Sequence, residues 1–151
     1  MKAISIRQPW SHAILHMGKR CENRDWFCKY RGPILIHAAK GMSVQEYQHF
    51  SFFWEYDFPG HGIGQTYPKL PSAEALERGG IVGKAVVIDC IGKKDQVPAG
   101  KDKLWSEQWV APWFFGRFGI ILDKVEALPF IPYKGALGLF EVPDDVVSAT
   151  A

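Results

Sequence analysis

The sequence offers no covalent or metal staple to build a fold around. Its three cysteines, at positions 21, 28 and 90, are odd in number, and none stands two residues from another. Neither a disulfide framework nor a structural zinc site is expected, and the thiols read as free, in a reducing compartment. Long apolar runs are missing too. No stretch approaches the roughly 20 apolar residues that span a bilayer, and Met1 to Ser5 hold no signal core, so the expectation is a cytoplasmic protein with no membrane partner. Excess charge of one sign is small. A formal net charge of +2 does not identify a nucleic-acid binder, so only the distribution of cations can carry that argument. Internal repeats and low-complexity tracts are also absent.

What is present is apolar material. With 47% hydrophobic and 23% charged residues in a chain of 151, enough surface can be buried to offset chain entropy, and a single domain over 1–151 is expected. Ile4 and Ile6 alternate with Ser5 and Arg7, a period of two that predicts a half-buried strand. Pro9 suits the first turn of a helix, and Trp10, Ala13, Ile14 and Met17 follow on one helical face until Gly18 supplies a left-handed stop. Ile34 to Ala38 is a short apolar run that predicts a strand buried on both faces. Ser43 and Glu46 match a capping box, and Val44, Tyr47, Phe50 and Trp54 keep helical spacing, predicting a helix over 43–56. Residues 57–71 read as an irregular connection and a candidate lid, with 43–71 as an insertion.

Further on, a short helix is predicted from Ser72 to Arg78 and a long strand from Ile81 to Ile91, bent at Gly83. A charged turn covers Gly92 to Gly100, and the aromatic stretch Lys101 to Phe115 shows no single period. Strands are expected at Phe118 to Val125 and Leu137 to Val142, joined through Pro129 and Pro132, with a frayed tail from Asp144. Five to six strands with helices between them, lacking regular alternation, predict a mixed α+β domain built on a small barrel flanked by helices.

Charge concentrates at one place. Lys19, Arg20, Glu22, Arg24 and Asp25 fall within seven positions, between a helix and the turn at Lys29 to Gly32. In an extended segment Glu22 and Arg24 share a face, and a carboxylate between two cations either orients them or neutralises them. Lys19 and Arg24 can hold a phosphate, the arginine through its planar fork; the same residues can instead be a structural ion-pair network. Trp26 is the aromatic best placed to stack on a base, since Trp10 shares the core stripe of its helix. Arg7, Arg31 and Lys40 can extend the basic surface. His12 and His16 stand four apart, a spacing able to grip a metal, yet no third ligand lies near; they read as solvent-facing and no metal is expected. Cys21 sits beside cations able to lower its pKa, without a partner histidine.

The segments Ser5-Ile6-Arg7-Gln8-Pro9-Trp10, Lys19-Arg20-Cys21-Glu22-Asn23-Arg24 and Tyr30-Arg31-Gly32-Pro33 resemble the ASCH domain family, a branch of the PUA-like superfamily. Lys19, Glu22 and Arg24 fill the ionic positions of its Gly-x-Lys-x-x-Glu-x-Arg pattern, with Met17 where the glycine is expected and Gly18 after it. The resemblance implies a PUA-like barrel and a motif-lined cleft that binds RNA, single-stranded nucleic acid or a modified nucleoside, with no cofactor. It also leaves a second reading open, a metal-independent nuclease or amidohydrolase in the same cleft with Lys19 and Glu22 as catalytic candidates. The family's N4-acetylcytidine amidohydrolases carry threonine where this chain has Glu22, and an anion there tends to keep Lys19 protonated, so that activity is not expected. A third reading is a protein-interaction module using the aromatic segment 105–115.

Overall fold

A computed structural model describes residues 1–58, 66–92 and 110–148. The chain runs through β1 (Lys2–Ile6), α1 (Trp10–His16), β2 (Cys21–Arg24), β3 (Gly32–Ala38), α2 (Val44–Phe52), β4 (Gly80–Ile91), β5 (Phe118–Pro132), β6 (Leu139–Glu141) and α3 (Asp144–Ser148). Its six strands form one sheet in the order β2-β5-β4-β3-β1-β6, curled into a half-barrel. The fold is the mixed α+β, PUA-like class expected. Neighbouring strands are antiparallel except β1 with β3. The chain leaves β1, forms α1, visits the sheet edge as β2 and returns as β3, the kind of crossover that parallel neighbours require.

Ile34 to Ala38 are all buried, as a central strand demands. The alternation of β1 splits its side chains between two cores. Ile4 and Ile6 join Ile34, Ile36, Ile120 and Leu122 inside the curl, while Ala3 and its register partner Leu35 face outward and are covered with help from Val146 and Val147 of α3. Residues 144–148 are therefore a packed helix, and the frayed tail expected from Asp144 is corrected that far. A third cluster lies between α1, α2 and the sheet, around Trp113, which is fully buried and stacks at 5.8 Å on Trp54.

The capping box forms as predicted: Glu46 N–H donates to Ser43 Oγ at 3.1 Å and Ser43 N–H to Glu46 Oε1 at 3.0 Å, a cap worth about 1 kcal/mol. The helix ends at Phe52, and one wide π-type turn, Phe53–Asp57, continues it. From Ser72 to Arg78 there is only a 3-10 turn, Ala73–Ala75, in place of the short helix. Pro129 and Pro132 do not break the last strands apart. β5 runs through both, because β2 pairs only with Phe118 to Ile121 and leaves the later flank of β5 open, where a missing N–H costs no ladder bond. The bend expected at Gly83 coincides with a register shift against β5 between Ile81 and Gly83. Of the expected lid, the described residues 66–71 are tied down: Trp54 Nε1 donates to the Pro68 carbonyl at 2.8 Å and the Tyr47 hydroxyl to that of Pro71 at 2.7 Å. Residues 59–65 and 93–109, with Trp105 and Trp109, lie outside the described residues. Among the described residues, no helix is long and apolar enough to cross a membrane.

Candidate nucleic-acid interface

The Gln8 amide sets the start of α1. It accepts from His12 N–H at 3.0 Å and donates to the Glu77 carbonyl at 2.8 Å, so a nearly buried polar group is satisfied at both ends. At the other end Gly18 adopts φ 79°, a left-handed conformation that glycine reaches without a Cβ penalty. The turn sends the Lys19 N–H back to the Ala13 carbonyl at 3.2 Å and aims its side chain inward. Met17, standing one place ahead of the actual turn residue, is buried.

Lys19 is only 1% exposed, and its ammonium donates to Glu22 Oε1 at 2.9 Å. The other carboxylate oxygen, Glu22 Oε2, accepts from Arg24 Nε at 3.1 Å. Strand geometry places these two side chains together, two residues apart on one face of β2. Arg24 then reaches beyond its own strand, donating from Nη2 to the Ser5 carbonyl at 2.7 Å. β2 and β1 are separated in the sheet by three strands; the curl brings them close enough for one arginine to bridge the mouth.

Asn23 points the opposite way along β2 and fixes a second wall. Its Nδ2 donates to the Trp113 carbonyl at 2.8 Å, and its Oδ1 accepts from the N–H groups of Phe115 and Gly116, each at 2.9 Å. Trp113 is thereby held in the core while Phe115, 59% exposed, is presented at the rim. The Trp10 ring stands 6.3 Å from that of Phe115 and 5.7 Å from the Lys19 ammonium. The cleft so enclosed measures about 510 Å3 and has Trp10, Lys19, Glu22, Arg24 and Phe115 in its lining. An aromatic groove of about 420 Å3, shared through Trp10 and Phe115 and continued by Phe52 and Phe53, adjoins it.

The other residues singled out from sequence scatter. Arg7 lines the cleft, but Glu46 takes its guanidinium, with Nε donating to Oε2 at 2.6 Å. Arg7, followed by the Ser43 bonds, holds the Glu46 carboxyl down at about 2. Lys40 lines a second, neighbouring cleft. Trp26 is half-buried against the main core, and Arg31 bonds the carbonyls of Cys28 and Tyr30 and pairs with Asp89 at 3.6 Å; neither lines these clefts. Cys21 is buried, and burial pushes its thiol up to about 12 despite Lys19, which corrects the suggestion of a cation-activated nucleophile. Of the aromatic segment, Trp113 is core instead of an exposed patch.

His16 is exposed as expected, but His12 is half-buried, with its ring 4.6 Å from that of His16. Among the described residues no group of three metal-ligating side chains comes together. Burial first, and then the His16 charge, lower His12 to about 4 from an ordinary 6.5. The folded protein thus binds this proton less readily than the unfolded chain, so the stability tied to neutral His12 is complete above about pH 6.5 and declines as pH falls towards 4. Denaturant midpoints measured across that window should fall with acidification in the wild type and flatten in His12→Gln; parallel curves would show that His12 does not carry the effect.

The sheet and its cleft define a PUA-like domain. The ASCH domain profile matches residues 4–118, and the chain belongs to the ASCH domain family, whose members are generally thought to bind RNA. No curated protein matches the chain. Neither Asn23 as a clamp nor Phe115 as a cleft wall was among the sequence-based candidates. The asparagine inside the charged segment was the one available signal, since that residue type commonly bonds backbone groups.

Proposed function

We propose that this domain binds single-stranded RNA or a nucleotide-like ligand in the cleft beside Lys19, Glu22 and Arg24. The observation that carries the reading is the meeting of an ionic triad with an exposed aromatic ring, Phe115, and the half-buried Trp10 in one cleft: Arg24 offers charge to a phosphate while Phe115, beside Trp10, offers a face to a base. Lys19 and Glu22 support the site from beneath. Their bond orients Arg24, since the carboxylate that anchors Lys19 also accepts the arginine. In this proposal Phe115, beside Trp10, takes the stacking role that the sequence suggests for Trp26.

Arg24→Ala tests this. With one phosphate contact removed, affinity for a single-stranded oligonucleotide should fall, and the slope of log affinity against log salt should shrink by about 0.7. Unchanged affinity and slope in the folded variant would remove this cleft from consideration.

A further inference from the structure

A second cleft of about 850 Å3 adjoins the first and shares Ser5, Arg7 and Arg24 with it. The first cleft mixes both signs of charge. This one is lined by Arg24, Lys40, Arg78 and Lys134 and, among the described residues, by no carboxylate. Lys40 and Lys134 are exposed and carry no ion-pair partner among the described residues. Part of the wall, Tyr133 to Gly138, lies beyond the span matched by the family.

One polar pair in the lining is unlike the rest. Ser5 and His37 are register partners across β1 and β3, with Ser5 Oγ 2.9 Å from His37 Nδ1 and His37 Nε2 2.7 Å from the Tyr133 carbonyl oxygen. His37 is 2% exposed. A carbonyl oxygen can only accept, so Nε2 carries a hydrogen, and a ring with that one hydrogen offers Nδ1 as an acceptor. The Ser5 hydroxyl must then donate its single hydrogen to Nδ1. What Ser5 Oγ has left for the cleft is lone pairs alone. A phosphate oxygen would face it acceptor against acceptor, whereas a ligand hydroxyl would donate to it. Gly135 keeps that oxygen within reach: a Cβ at this position would stand 3.0 Å from Ser5 Oγ and 2.7 Å from the His37 ring.

We infer that this cleft holds the sugar-phosphate backbone of an RNA strand, its cations on phosphates and Ser5 Oγ accepting from a ribose 2′-hydroxyl, so that Ser5 is the residue by which the protein distinguishes RNA from DNA. The 2′-hydroxyl is the donor that DNA lacks. The inference rests on the RNA-binding reading above but assigns a different cleft and a different residue.

The test compares fluorescence anisotropy titrations with oligouridylate, its 2′-deoxy counterpart and its 2′-O-methyl counterpart at one salt concentration. The wild type should prefer the ribo-oligomer over both by roughly 3- to 10-fold, the range of one net neutral hydrogen bond. Ser5→Ala should bring the three affinities together by weakening RNA alone. Ser5→Cys, which keeps a side-chain donor for His37 but offers only a weak sulfur acceptor, should do the same if the alanine variant does not fold. The double change Lys40→Ala with Lys134→Ala should weaken all three equally and preserve the preference. Equal wild-type affinity for the three backbones, or a preference undiminished in a folded Ser5 variant, overturns this inference and leaves RNA binding standing. Absence of binding to any oligomer overturns both.

Discussion

Glu22→Ala should lower folding stability by about 3 to 5 kcal/mol, the usual cost of removing one partner from a buried ion pair. Lys19 is 1% exposed and Glu22 is its one side-chain acceptor among the described residues, so truncation strands a cation with little access to water. At roughly 2 to 4 °C per kcal/mol for a chain of this size, the melting temperature should drop by about 10 °C. The cost arises from the unpaired charge, so removing the charge as well should restore stability. Glu22→Leu combined with Lys19→Met should be more stable than Glu22→Ala alone, and denaturant titrations of singles and double should show strong coupling. A Glu22→Ala protein that melts within a degree or two of the wild type would mean that the pair is not buried in solution.

Phe115→Ala should produce the opposite pattern, a large loss of binding at nearly constant stability. The ring is 59% exposed, so its removal uncovers little core, while base stacking on an aromatic side chain is worth roughly 1 to 3 kcal/mol, or about 5- to 150-fold in affinity. Because stacking involves no phosphate, the salt slope should remain that of the wild type. Trp26→Leu is the matched control. Trp26 packs against the main core, so leucine should cost about 2 kcal/mol of stability through lost packing and leave the affinity of the folded protein intact. Melting curves and anisotropy titrations on both variants decide between them. A stable Trp26→Leu protein with weakened binding, beside an unaffected Phe115→Ala, would return the stacking role to Trp26.

The sequence by itself determined the features whose geometry is local. Glu22 and Arg24 had to share a face once the segment was extended, Ser43 and Glu46 had to close a capping box, and Gly18 had to turn the chain at the exit of α1, because residues two to four apart stand in a fixed relation within a strand or a helix. The apolar run Ile34 to Ala38 likewise required a central strand. Tertiary structure alone decided what those features face. Ser5 and His37 are 32 residues apart, and Asn23 and Phe115 are 92 apart; no periodicity links them, and only the pairing of β1 with β3 and of β2 with β5 sets them side by side. The curl gave Arg24 the Ser5 carbonyl, and the pairing of β1 with β3 carried Arg7 to Glu46, a cation that in sequence reads the same as Lys40, which has no ion-pair partner among the described residues. Aromatic residues were ambiguous for a related reason. Trp113 and Phe115 lie in one short segment, and which is core and which is rim follows from how Asn23 clamps the backbone between them. Local spacing specifies elements, whereas a site is built from contacts between elements, whose positions follow from the packing of the whole core.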